Sequence, residues 1–175
     1  MLEFLFPLGL AAFFLAVILP LIGSTLGSNK ATRQAALIGT IVACGAILAF
    51  ALEIVFSNKS FSLLAYQITP QFQFSFLVDR LAAFFLALIA VVSMAVAIYS
   101  VPYVEHSEHE GRKNLIVSFM NIFIVSMVLV VASFTMFSFL FFWEIMALSS
   151  FLLVMVEFEK KETQKAGIFY FVMTI

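Results

Sequence analysis

Charge is scarce in this 175-residue chain: 11% of residues are charged and 64% are hydrophobic. Soluble domains carry roughly 25% charged and about 45–50% apolar residues. The composition therefore excludes a soluble globular domain and specifies a polytopic membrane protein. Neither sign of charge dominates. Nine Lys and Arg against ten Asp and Glu leave a net charge of −1, without the basic footprint that a nucleic-acid partner needs. Cysteine is nearly missing as well. Cys44 is alone in an apolar run, so there is no disulfide or thiolate metal framework. The first 26 residues lack the basic start of a signal peptide, Glu3 being their only charge, and their apolar stretch is too long for one. A retained helix is expected there. No linker-like stretch is long enough to mark a domain boundary.

What the chain does have is long apolar runs. They predict helices over about Phe4–Leu26, Ala35–Phe56, Leu77–Tyr99, Leu115–Ser133 and Thr135–Val156. Pro7 sits in the first turn of the first helix, where a missing N–H costs little, and Pro20 is placed to kink it. A sixth helix begins near Gln164, but only about a dozen of its residues precede Ile175, roughly half a span. The chain reads as a fragment of a longer protein.

Ser57 to Phe76 breaks the helical pattern. Leu64, Tyr66 and Ile68 alternate with Ala65, Gln67 and Thr69; after Pro70, Phe72, Phe74 and Phe76 alternate with Gln71, Gln73 and Ser75. Period two on both sides of a Thr-Pro-Gln turn predicts a β-hairpin at the membrane surface, with an aromatic face against the bundle or a neighbouring subunit.

The fifth run, 22 residues from Thr135 to Val156, holds a single charge, Glu144. At the helical rise it reaches about 33 Å, enough to cross a hydrocarbon core of about 30 Å. Glu144 lies nine residues from one end and twelve from the other, near the midplane. An ionised carboxylate there costs roughly 2.5–3.5 kcal/mol, so a neutralised, shared or paired acid is expected. Such a group either bonds a neighbouring helix or carries protons. Intramembrane ionisable groups are functional by default, which favours the second. Trp143 is read as packing, and the hydroxyls of Ser149 and Ser150 as bonded to backbone or a partner helix.

Other candidates are secondary. Asp79 and Arg80 stand at the entrance to the third helix, where Asp79 suits the positive end of the helix dipole. Asn121 either bonds a neighbouring helix or lines a hydrated path. Lys165, in the first turn of the sixth helix, snorkels to the surface. Glu53 lies near headgroup water and reads as solvated. His106 and His109 have a metal-like spacing, but no further ligand motif supports them and a solvated loop is preferred. No metal or cofactor site is expected in this chain.

Basic residues set the orientation. The first, third and fifth connections and the start of the sixth helix hold Lys30, Arg33, Arg112, Lys113, Lys160, Lys161 and Lys165; the other face holds Lys59 and Arg80. Seven against two puts the N-terminus outside and the hairpin on the exterior face.

FLVDRLAAFF, YSVPY, FMNIFIVSM and FLFFWEIMALSSFLLV, in this order, resemble the N-terminal part of an antiporter-like membrane subunit of the complex I superfamily. That superfamily includes proton-pumping subunits of NADH:quinone oxidoreductase, Mrp sodium/proton antiporters and subunits of group 4 membrane-bound [NiFe] hydrogenases. WEIMALSS followed by KAGIFYFVMT is most similar to the antiporter-like membrane subunit of hydrogenase-4 and its formate hydrogenlyase counterpart. The resemblance runs from about Phe74 to Thr174.

It implies an all-α polytopic fold with an extracytoplasmic β-hairpin. Residues 1–113 would form an N-terminal three-helix region, with the hairpin at 57–76, and 114–175 would open the first proton-translocating repeat. It matches the family's helix-five acid to Glu144, which there faces a lysine on a later, broken helix, beyond Ile175 here. It matches the helix-three Asp to Asp79, although the serine usual three residues on is Ala82. It further implies a bacterial or archaeal inner membrane, and proton or sodium movement coupled to redox chemistry in partner subunits. Those partners would be other membrane subunits and peripheral hydrogenase subunits, which would hold the NiFe centre and Fe–S clusters. Competing readings are an Mrp-type antiporter, a pumping subunit of NADH:quinone oxidoreductase, and a non-conducting membrane anchor.

Overall fold

The computed structural model describes residues 2–26, 29–57, 60–67, 72–105 and 110–155. In chain order these form α1 (Leu2–Leu26), α2 (Asn29–Ser57), β1 (Phe61–Gln67), β2 (Gln73–Val78), α3 (Arg80–Glu105), α4 (Glu110–Ala132) and α5 (Met136–Met155). All five helices are long and apolar enough to cross a membrane, so their backbone polar groups are satisfied within each span, as hydrocarbon requires.

The helices run past the apolar segments that predict them. α2 begins at Asn29 and absorbs most of the expected connection, α3 continues through Pro102 to Glu105, and α4 starts at Glu110. Once a turn exists, each further residue adds a hydrogen bond at little entropic cost, so polar ends propagate beyond the hydrocarbon. The third helix starts later than expected. Leu77 and Val78 extend β2, and Asp79 then caps α3, its carboxylate accepting from the Ala82 N–H at 2.8 Å.

α1 packs on α2 and α4, α2 also on α3, and α4 on α5. The core between α1, α2 and α4 holds Phe6, Phe13, Ile47, Phe50, Ile54, Val117 and Val128, all fully buried. Polar links join the same helices. Ser118 on α4 donates to the Val17 carbonyl of α1 at 3.0 Å. Thr40 on α2 donates to Asn121 Oδ1 on α4 at 2.6 Å.

β1 and β2 pair antiparallel, Phe61 opposite Val78 and Gln67 opposite Gln73, with a bulge between Leu64 and Tyr66. The hairpin does bury aromatics against the bundle, and in two places. Phe61 sits against Phe6 of α1 and Phe50 of α2, with ring centroids 5.6 and 5.3 Å apart. Phe74 and Phe76 reach Phe142 of α5 at 5.9 and 5.8 Å. The expected Thr-Pro-Gln turn, His106, His109, Lys160, Lys161, Lys165 and the start of the sixth helix lie outside the described residues.

Candidate functional site

α5 begins where β2 holds it. The Phe134 N–H donates to the Ser75 carbonyl at 2.9 Å, beside a bridge between Phe76 and Ser133. The hydroxyls of Thr135 and Ser138 both donate to the Gln73 carbonyl, at 2.8 and 3.0 Å. The Ser75 N–H donates to Ser138 Oγ at 3.2 Å. Short hydroxyl side chains at the α4–α5 junction thus take up backbone groups that a two-stranded hairpin would leave unpaired. The depth of α5 is thereby tied to the hairpin.

Glu144 stands eight residues into α5, about 12 Å from its start at the helical rise, and eleven residues from Met155. Glu144 is therefore a mid-helix residue of α5. α5 packs chiefly on α4 and β2, through Ser138, Phe142 and Ser149. Only 11% of its span is buried, against 56% for α4. Glu144 lies on the open side, its carboxylate exposed among Leu140, Phe141 and Leu148, themselves 44–48% exposed. Trp143 stacks on Phe139 at 5.7 Å. Ser149 and Ser150 donate to the Met146 and Ala147 carbonyls of their own helix.

The other sequence candidates do not gather round Glu144. Asn121 is fully buried and faces α2, its amide donating to the Val117 carbonyl and accepting from Thr40. Asp79 caps α3 at the hairpin end of the bundle. Lys165 lies outside the described residues, and among those described no cluster of His, Cys, Asp and Glu could hold a metal. Sequence reading missed the junction hydroxyls Thr135 and Ser138. Their signal was a Ser-Phe-Thr-x-x-Ser run between two apolar spans, which fits a helix start, but their partner Gln73 is remote in sequence.

Residues 67–112, spanning β2, α3 and the first residues of α4, match the model of the NADH-ubiquinone oxidoreductase (complex I) chain 5 N-terminus. An uncharacterized protein of Mycobacterium tuberculosis is 40% identical over 96 residues, 55% of this chain and 14% of the relative. Hydrogenase-4 component B of Escherichia coli is 36% identical over 106 residues, 58% of this chain and 15% of the relative. The chloroplastic NAD(P)H-quinone oxidoreductase subunit 5 of Zea mays is 38% identical over 82 residues, 47% of this chain and 11% of the relative. This chain thus spans about one-seventh or less of the curated relatives it matches. A chain in the structure of the membrane-bound sulfane sulfur reductase, an archaeal respiratory membrane complex, shares the fold with a TM-score of 0.74 at 23% identity, over 98% of this chain and 33% of that one. By sequence the chain is similar to hydrogenase-4 component B and NAD(P)H-quinone oxidoreductase subunit 5, with the complex I chain 5 N-terminus matching across 67–112, and its fold is that of a chain in a membrane-bound respiratory complex.

Proposed function

We propose that this chain is the N-terminal part of a subunit that moves protons, or another cation, across a membrane. Redox chemistry in partner subunits of a membrane-bound [NiFe] hydrogenase or formate hydrogenlyase-type complex would drive it. One observation carries the reading: an acid at mid-depth of a spanning helix, on a side that the described residues leave open. A bare carboxylate in hydrocarbon costs roughly 2.5–3.5 kcal/mol. Its retention is explained if a later segment covers that side and supplies a base, as the family's lysine would. Glu144 then takes and releases a proton as the base approaches and withdraws. Asn121 and Lys165 are secondary, and Asp79 is a helix cap first. The NiFe and Fe–S centres belong to the partners in this reading.

Similarity to hydrogenase-4 component B favours the hydrogenase-type complex. Similarity to NAD(P)H-quinone oxidoreductase subunit 5 favours a second reading, the pumping subunit of a quinone oxidoreductase. Purifying the intact complex and assaying hydrogen evolution against quinone reduction separates the two. The proton role is tested by Glu144→Gln in that complex. Redox turnover uncoupled from ion movement supports it; unchanged coupling leaves the chain a non-conducting anchor.

A further inference from the structure

We propose that the hairpin forms an aromatic seal on the hairpin side of Glu144, so that the carboxylate is screened from water at that end of the bundle. The seal consists of Phe72 and Phe74 from the hairpin and Phe137 and Phe141 from α5. Its functional meaning rests on Glu144 being the proton carrier; the seal itself does not.

Phe137 precedes Glu144 by seven residues and Phe141 by three, so the two rings occupy the side of α5 above the acid at rises of about 10 and 4.5 Å. Helical side chains lean toward the N-terminus, which tips the carboxylate toward this layer. Phe137 and Phe141 stack with centroids 6.3 Å apart. Phe72 meets Phe137 edge-on at 5.2 Å, and Phe74 meets Phe137 at 5.1 Å and Phe141 at 5.2 Å. Phe142 closes the inner side, 5.3 Å from Phe141.

The polar groups above the rings are engaged with one another. Thr135 and Ser138 hydroxyls lie 2.7 Å apart, and both use the Gln73 carbonyl. These bonds fix Gln73, and with it the phenylalanines on either side, against the first two turns of α5. A proton moving along this side of α5 from the hairpin end would meet the Phe72, Phe74 and Phe137 contacts and then Phe141, apolar surface that gives a charge no solvation. The hairpin is then more than a strut: it decides from which end the acid is wetted.

The test reads access directly, in right-side-out and inverted vesicles of native membranes carrying the assembled protein. Cys44 is first replaced by Ala, and Glu144→Cys is challenged with a membrane-impermeant thiol reagent from each side. With the four rings intact, reaction from the hairpin side is expected to be slow. Phe74→Ala should speed it by about tenfold, the change that a loss of about 1.4 kcal/mol of barrier gives, and Phe74→Leu should restore the slow rate. Fast reaction from the hairpin side with all rings present overturns the seal, as does a Phe74→Ala variant that changes nothing. Ser118→Cys, fully buried between α1 and α4, is the control. If Phe74→Ala exposes it equally, the ring holds the bundle together rather than sealing one path, and the proposal also falls. None of these outcomes depends on Glu144 moving a proton, which the Glu144→Gln coupling assay tests separately.

Discussion

Thr40 and Asn121 share a hydrogen bond between helices α2 and α4, 2.6 Å from hydroxyl to amide oxygen, with both residues fully buried. Their dependence on one another is unequal. Thr40 Oγ1 also lies 2.9 Å from the Ala36 carbonyl, so its hydroxyl keeps an acceptor if Asn121 is removed. Asn121 Nδ2 keeps the Val117 carbonyl, but Oδ1 loses its donor if Thr40 is removed. Interhelical hydrogen bonds in membranes average about 0.6 kcal/mol and reach about 1.7. Thr40→Val is expected near the upper end of that range, because it strands a buried acceptor. Adding Asn121→Leu should return part of the loss. Equilibrium unfolding in bicelles, run as a double-mutant cycle, checks this; additive effects would show that the pair is not coupled.

Glycine replacements should sort by what stands opposite. A Cβ at Gly45 meets nothing within 4 Å, so Gly45→Ala gains helix propensity of up to about 1 kcal/mol. At Gly9 the new carbon would come within 2.8 Å of the flexible end of Ile47. At Gly23 it would collide with Thr32, whose Cβ and Cγ2 stand 2.6 and 2.9 Å away, where α1 and α2 approach closely. Overpacking of that kind costs about 1–3 kcal/mol. The expected order of stability is Gly45→Ala above the parent, then Gly9→Ala, then Gly23→Ala, read as unfolding midpoints in one detergent. A Gly23→Ala protein as stable as the parent would mean that the α1–α2 approach is looser than these distances.

The five helices and the hairpin were legible in the sequence because each is a repeating physical signal: an apolar run longer than a bilayer, or a strict period of two. Helix ends were less legible. Hydropathy sees the hydrocarbon, while Asn29 to Gln34 and Glu110 to Asn114 are helical outside the apolar runs. The depth of Glu144 could be counted along the chain, but its facing could not. Leu140, Phe141, Ile145, Met146 and Leu148 surround it with apolar residues in every direction, so no polar stripe marks the open side. The clamp of Gln73 by Thr135 and Ser138 is long-range, and no local pattern encodes it.

The expected orientation can be tested at the two described ends of α2. Lys30 is exposed at the start of that helix and Ser60 is exposed just beyond its end, near the hairpin. A spanning α2 would put them on opposite faces, and by the positive-inside rule the excess of basic residues at the Lys30 end would put that end inside. In a Cys44→Ala background, Lys30→Cys should react with an impermeant thiol reagent only in inverted vesicles, and Ser60→Cys only in right-side-out ones. Reaction of both from one side would break the topology. A clean exchange of sides would leave the fold intact and reverse the orientation.

The isolated 175-residue chain and the assembled protein should respond to changes at Glu144 in opposite ways. Alone, α5 offers a proton no continuous polar route: Ser149 and Ser150 are bonded to their own helix, and Leu140, Phe141 and Leu148 surround the carboxylate. Liposomes holding only this chain should therefore show no proton flux beyond the lipid leak. In the same liposomes the carboxylate is a liability, because an ionised acid at the bilayer centre costs roughly 2.5–3.5 kcal/mol and Glu144 stands exposed among apolar side chains of the described residues. Glu144→Leu should then insert and fold better than the parent, by up to about that amount, without altering the background flux. If Glu144 is the proton carrier proposed above, the same change in the assembled complex should abolish coupled ion movement while redox turnover continues. Stability measured in bicelles and coupling measured in the complex should move in opposite directions. If Glu144→Leu destabilises the isolated chain, Glu144 already has a structural partner within residues 1–175, and the case for a remote base on another segment collapses.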